Sequence, residues 1–269
     1  MKNAKSKTQL LAAHLNELGN VTVAVSGGVD SMTLAFLAHQ VLGEQAKIVH
    51  SVSNAVPSQD TARVREYAEK YGWNMSFVTA GETDSVAYRD NPVNRCYYCK
   101  SCLYSTLSAL NHGVVVSGTN LDDLSDYRPG LIAAKEHKVR HPFVEVGIDK
   151  HTLREIAHDL GLPALATLPA SPCLSSRIET GIHILDQHLH LIDDVELSLK
   201  SKLDADNLRC RIQGSQVCIE LDESTFQSLS PDAIRQFTND VEAIVHRHKM
   251  TIPIAFRPYQ RGSAFIGAK

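Results

Sequence analysis

Two stretches of this chain carry residue types that do chemistry at short spacing. The first is Ser26-Gly27-Gly28-Val29-Asp30-Ser31, directly after the apolar run VTVAV (21–25). Two consecutive glycines let a backbone approach oxygen atoms with no Cβ in the way. Where such a turn opens a helix, the unsatisfied N–H groups favour an anion. Ser26 and Ser31 add hydroxyl donors, and Asp30 adds a carboxylate where a Mg²⁺ bridging phosphates would sit. The stretch is neither a Walker A loop nor GxGxxG. The second stretch is RCYYCKSC (95–102), in which Cys96, Cys99 and Cys102 recur every third residue. That spacing suits a zinc clip, a redox pair, a cluster site, a sulfur donor or a packed, thiol-rich helix.

Further candidates lie downstream. GTNLDDLSDYRPG (118–130) brings Gly118, Asp122, Asp123, Asp126 and Arg128 to the end of an apolar strand, the edge where open α/β sheets bind ligands. SPCLSSRIETG (171–181) carries Cys173 and Arg177. Arg209 and Arg211 alternate, so both point to one strand face and can grip a phosphate or carboxylate. On spacing alone a solvated strand face with surface ion pairs is the better reading of the two. Glu220, on the paired strand, would hold a divalent ion or neutralise these arginines. Cys102 sits in a run with Tyr104, Leu107 and Leu110 and reads as packing, as do Cys210 and Cys218. A zinc site would need a fourth ligand such as His112 or His141.

The elements that must position these residues follow from hydrophobic period. Strands at 21–25, 47–53, 74–80 and 114–120 alternate with helices at 7–18, 32–43, 58–72 and 96–113, which argues for a parallel α/β sheet. Leu10, Leu11, Leu15 and Leu18 form the stripe of the first helix. Residues 141–162 read as extended chain plus a helix capped by Asp149. Composition shifts to Pro, Ser and Ala at 163–182, a connector long enough to be functional. Beyond it come a helix (184–203), a hairpin around Gly214 (208–214 and 216–221), a helix (231–248) and a strand (251–256). The expected fold is α/β: a Rossmann-like parallel-sheet domain over 1–180 and a smaller α+β domain over 181–269.

Bulk properties narrow the class. The chain has 269 residues, 43% hydrophobic and 21% charged, with net charge −3. That is ordinary globular composition, with no basic field to advertise nucleic acid. No apolar run reaches the roughly 20 residues of a membrane span, and the first residues lack a signal-peptide core. A cytoplasmic protein is expected, where clustered cysteines mean metal, cluster or catalysis more often than disulfides.

The SGGVDS loop resembles that of the PP-loop ATP pyrophosphatases. Together with CYYCK, DYRPG, SPCLSSR and the RCR…IEL pattern, the chain is similar to the LarE family of ATP-dependent sulfur transferases of nickel-pincer nucleotide synthesis. The resemblance implies that ATP, with Mg²⁺, is cleaved to AMP and pyrophosphate on a loop of Ser26, Gly27, Gly28, Asp30, Ser31 and Gly118. A carboxylate of a pyridinium biscarboxylate mononucleotide is adenylylated, and sulfur displaces AMP to give a thiocarboxylate. It implies substrate contacts at Asp126, Arg128, Arg177, Arg209 and Arg211. Two sulfur sources are known in the family: one sacrificed cysteine, here Cys173, or a [4Fe-4S] cluster on three cysteines, here Cys96, Cys99 and Cys173, fed by a cysteine desulfurase or sulfide. A homo-oligomer is expected, with neither nucleic acid nor membrane as partner. A tRNA thiolation enzyme would share the loop but should carry a basic tract. An amidotransferase such as NAD synthetase would not need the cysteines, and a mere ATP-binding module would not need the Asp- and Arg-rich loops.

Overall fold

The structure is a computed structural model and describes residues 2–125 and 128–266. In chain order its helices are α1 (Lys2–Leu18), α2 (Val29–Leu42), α3 (Ser58–Tyr71), α4 (Val86–Arg89), α5 (Arg95–Ala109), α6 (Pro129–Glu136), α7 (Pro142–Glu145), α8 (Lys150–Asp159), α9 (Pro163–Ala166), α10 (Asp186–Lys200), α11 (Glu223–Ser228) and α12 (Pro231–Arg247). The strands are β1 (Val21–Val25), β2 (Ala46–Ser51), β3 (Met75–Val78), β4 (Val114–Ser117), β5 (Leu208–Gln213), β6 (Gln216–Leu221) and β7 (Ile254–Pro258).

The chain divides into two compact units, residues 1–85 with 94–171, and residues 86–93 with 172–269. The boundary thus lies before Cys173 rather than at 180, and a short segment from the middle of the first unit belongs to the second. Tyr88, Arg89 and Asn91 explain that assignment. Their polar groups bond Ser175, the Ile184 carbonyl, and the carbonyls of Ile178, Glu179 and Ile182.

The first unit is a four-stranded sheet in the order β3-β2-β1-β4, with every pair parallel. Strand β1 lies between β2 and β4, so the chain diverges to either side of it. That crevice is where open α/β sheets bind ligands. Helix α2 follows β1 and is apolar on nearly all sides because β1, β2, α1 and α8 all pack on it. Leu11 and Leu15 of α1 are fully buried, whereas Leu10 is half exposed, so the stripe is narrower than its four leucines suggest. Asp149 caps α8 as expected, accepting the Thr152 N–H at 2.7 Å.

The second unit is a three-stranded sheet in the order β5-β6-β7. Strands β5 and β6 form the hairpin expected around Gly214, whose φ of +53° suits the turn. Leu208, Cys210, Ile212, Val217, Ile219 and Leu221 are buried. Cys210 and Cys218 are both fully buried, as packing residues should be, and burial pushes both thiols up.

Candidate active site

The SGGVDS loop joins β1 to α2. Gly28 is the N-cap of α2 in extended backbone, and no side chain caps this end. The first N–H groups of α2 are thereby left for an anion. Ser26 and Ser31 close the loop on itself. The Ser26 N–H donates to Ser31 Oγ at 3.0 Å, the two hydroxyls lie 3.1 Å apart, and Ser31 Oγ donates to the Gly28 carbonyl at 3.2 Å. Gly27 has φ of +91°, and a Cβ there would lie 2.7 Å from both the Cβ and the carbonyl oxygen of Asp60. Only glycine lets the loop pass this close to the first turn of α3.

Asp30 is the polar hub. Lys150 Nζ donates to its two carboxylate oxygens at 2.7 and 2.6 Å, and Asn120 Nδ2 to Oδ1 at 3.1 Å. The two donors arrive from separate elements, the start of α8 and the loop after β4. That loop is itself ordered by side chains. Asp123 Oδ2 accepts the Asn120 N–H, Asp122 Oδ2 accepts the Lys150 N–H, and Arg128 pairs with Asp123 at 2.8 Å. Gly118 packs its α-carbon against the first turn of α2, since a Cβ would stand 2.7 Å from the Ser31 nitrogen. It therefore sets the approach of β4 to the loop. Asp126 lies outside the described residues.

The cradle is braced from behind. Arg63 Nη1 donates to the Gly27 carbonyl at 2.8 Å and to Asp60 Oδ1 at 2.6 Å. His50 is buried. Its Nδ1 donates to the Val25 carbonyl at 2.9 Å, which leaves Nε2 to accept from the Thr61 hydroxyl, also at 2.9 Å. Burial lowers its pKa, against the raising influence of the Val25 carbonyl and Asp60, which keeps this neutral tautomer. Sequence reasoning misses Asn120, Lys150, Asp60, Arg63 and His50. A lone lysine after a helix cap, or a histidine in a strand, gives no local signal; only the sheet brings them to Asp30 and Val25.

Cys96 and Cys99 lie in the first turns of α5, half-buried. Separated by three residues on a helix, their side chains project from one face. Gly130 of the DYRPG stretch lets α6 close on that turn, since a Cβ there would meet Lys100 Cγ at 3.0 Å and the Cys96 carbonyl at 3.7 Å. Cys102 is half-buried too, and burial together with nearby Glu82 pushes its thiol up. Among the described residues no three Cys, His, Asp or Glu side chains gather round a metal-sized centre.

Cys173 belongs to the second unit, as N-cap of the 3₁₀ turn Leu174–Arg177. Arg177 is buried and holds this turn. It forms two parallel bonds to Glu196 at 3.0 and 3.1 Å and donates to the carbonyls of Pro172 and Cys173. Its guanidinium is committed to positioning Cys173. Arg211 Nε donates to Glu220 Oε2 at 2.6 Å, while Arg257 and Ser263 donate to Glu220 Oε1 at 2.7 Å. Glu220 thus neutralises arginines, one of the two roles expected of it. Arg209 is buried beside Arg177 and Arg211, and burial, then Arg177, lowers its pKa.

Burial raises the Glu196 and Glu220 carboxyls, but Arg177 in one case and Arg211, Ser263 and Arg257 in the other more than offset it, leaving both below the ordinary range. A depressed folded-state value contributes stability that is whole above the unfolded value of about 4.3 and is lost as pH falls through the folded one. The melting temperature of the second unit is therefore expected to fall as pH drops below about 4.3. Calorimetry from about pH 6 to about pH 3 spans that window, and Glu220→Gln should flatten the profile.

A model of the asparagine synthase family matches residues 8–112. An uncharacterized protein of Synechocystis is 37% identical over 241 residues, 88% of this chain and 86% of that protein. The pyridinium-3,5-bisthiocarboxylic acid mononucleotide synthase of Lactiplantibacillus plantarum is 31% identical over 229 residues, 83% of this chain and 82% of its own length. One component of the glutamine-hydrolyzing GMP synthase of Saccharolobus solfataricus is 28% identical over 172 residues, 55% of this chain and 46% of that one.

Proposed function

Because the chain belongs to the LarE family of PP-loop ATP-dependent sulfurtransferases, we propose that it converts pyridinium-3,5-biscarboxylic acid mononucleotide to the thiocarboxylate. A substrate carboxylate oxygen bonds the α-phosphorus of ATP, the α–β phosphoanhydride breaks, and pyrophosphate leaves. Sulfur then bonds the acyl carbon, and the carbon–oxygen bond to AMP breaks. The observation that carries this reading is Asp30, gripped by Lys150 and Asn120 at the mouth of the Ser26–Ser31 cradle. The cradle's N–H groups and hydroxyls hold the leaving pyrophosphate, and Lys150 neutralises charge beside it. Asp30 would hold Mg²⁺. Positioning and charge neutralisation carry a step of this kind.

The sulfur is assigned to Cys96, Cys99 and Cys173. Their thiols are the right donor chemistry for iron, and two of them share one turn of α5. When bound there, a [4Fe-4S] cluster would present one iron without a protein ligand, on which replaceable sulfide can be delivered. Arg209 and Arg211 are assigned to the field that attracts the substrate's anionic groups. In their neighbourhood Arg177, Arg209, Arg211 and Arg257 outnumber Glu196 and Glu220.

The test is anaerobic purification, iron and acid-labile sulfide analysis, and intact mass before and after turnover with ATP and the mononucleotide. AMP, pyrophosphate and thiocarboxylate with an unchanged polypeptide mass support the cluster route. Loss of the elements of H₂S from the chain would move the donor to Cys173 itself, and absence of thiocarboxylate would sink the reading. Cys102→Ala is expected to lower stability by about 1 kcal/mol and to leave iron per chain unchanged. Cys96→Ala and Cys99→Ala should each lose iron in the same colorimetric assay.

A further inference from the structure

Asp60 faces two ways. Its Cβ and carbonyl oxygen fill the space where a Cβ of Gly27 would be, each 2.7 Å away. Its Oδ1 takes Arg63, which also holds the Gly27 carbonyl. Its Oδ2 accepts a hydrogen bond from the Ser171 hydroxyl at 2.7 Å. Asp60 is 3% exposed, so its carboxylate is largely out of water, while its partners Arg63 and Ser171 reach the surface. Ser171 is the last residue of the first unit and stands two residues before Cys173. Chain connectivity alone keeps the two Cα atoms within about 7 Å.

We propose that Ser171 and Asp60 are positioning residues that link occupancy of the pyrophosphate cradle to the placement of Cys173. An anion entering the cradle loads the backbone of Gly27. Gly27 lies against Asp60 with no room for a Cβ between them, and its carbonyl is held by Arg63, so a shift at Gly27 is felt at both residues. Asp60 passes the shift to Ser171 through one short hydrogen bond, and Ser171 leads directly into the thiol-bearing turn. The serine itself has no part in gripping phosphate. The arrangement brings sulfur to order only when a nucleotide has been engaged, which protects an acyl-adenylate from idle hydrolysis.

The inference rests on the sulfur role given to Cys173, so its test avoids turnover. The rate of Cys173 alkylation by iodoacetamide is followed by peptide mass spectrometry, with and without Mg²⁺–ATP, and ATP affinity is measured by calorimetry. In the unaltered chain, saturating ATP is expected to change the alkylation rate at least threefold. Ser171→Ala should bind ATP with the same affinity and lose that response, and Ser171→Thr, which keeps the hydroxyl, should restore it. A response unchanged in Ser171→Ala overturns the inference, as does a parallel loss of ATP affinity or no response in the unaltered chain. Failure of the sulfur-transfer reading would appear separately, as absent thiocarboxylate with the alkylation response intact.

Discussion

Gly27→Ala is expected to slow pyrophosphate release on the order of a hundredfold and to lower the melting temperature by several degrees. Two costs combine. A φ of +91° is strained for any residue with a Cβ, at roughly 1–3 kcal/mol. The added carbon would also lie 2.7 Å from the Asp60 backbone oxygen, which no rotamer relieves. The loop must therefore move outward, and a displacement near 1 Å costs on the order of a hundredfold in rate. Gly28→Ala is the contrast. Gly28 has φ of −78°, and its Cβ would meet nothing nearer than Ser26 Oγ at 3.7 Å. It should fold with a melting temperature within about 2 °C of the parent. Scanning calorimetry and a coupled pyrophosphate assay on both variants check the pair; equal behaviour would refute the close-approach argument.

Lys150→Met is expected to reduce the rate of pyrophosphate formation by two to three orders of magnitude, mainly in kcat. Loss of one preorganised donor at a developing charge has about that effect. Lys150 is a third exposed and pairs with a partly exposed Asp30, so the pair itself contributes no more than about 1 kcal/mol to stability. The melting temperature should hardly move. Without the ammonium, Asp30 keeps only Asn120 as donor among the contacts described above, and its charge then opposes the phosphates it should help to hold. Lys150→Arg should recover part of the rate. A variant that loses stability as well as rate would make Lys150 a structural residue instead.

The division between what the sequence made legible and what it did not follows range. β1, the glycine loop and α2 are contiguous, so period and composition locate them. Asp149 as an N-cap and the 208–221 hairpin are local too, and both stand where expected. Lys150, Asn120 and Asp60 are not local. They reach the cradle from 120, 90 and more than 30 residues away, and nothing in their own neighbourhoods marks them. Arg177 and Glu220 show the opposite difficulty. Their types suggest ligand binding, but a charge in a sequence does not reveal its partner, and Glu196 and Arg211 supply it. The connector misleads for a related reason: Pro, Ser and Ala mark irregular chain, yet its carbonyls at Ile178, Glu179 and Ile182 are met by Asn91.

That last arrangement has a consequence during synthesis. Asn91 is fully buried with φ of +52°, and its amide serves carbonyls of Ile178, Glu179 and Ile182. The first of these follows it by 87 residues. At 5–20 residues per second a ribosome delivers it roughly 4–17 s later. Through that interval the nascent 86–93 segment has none of these partners, while the strands and helices around it in the sequence can already assemble. A gene cut at the connector would make the wait permanent, leaving a C-terminal fragment whose inner carbonyls lack Asn91 and whose Ser175 lacks Tyr88. The two units are separate as folded bodies but not as genetic modules.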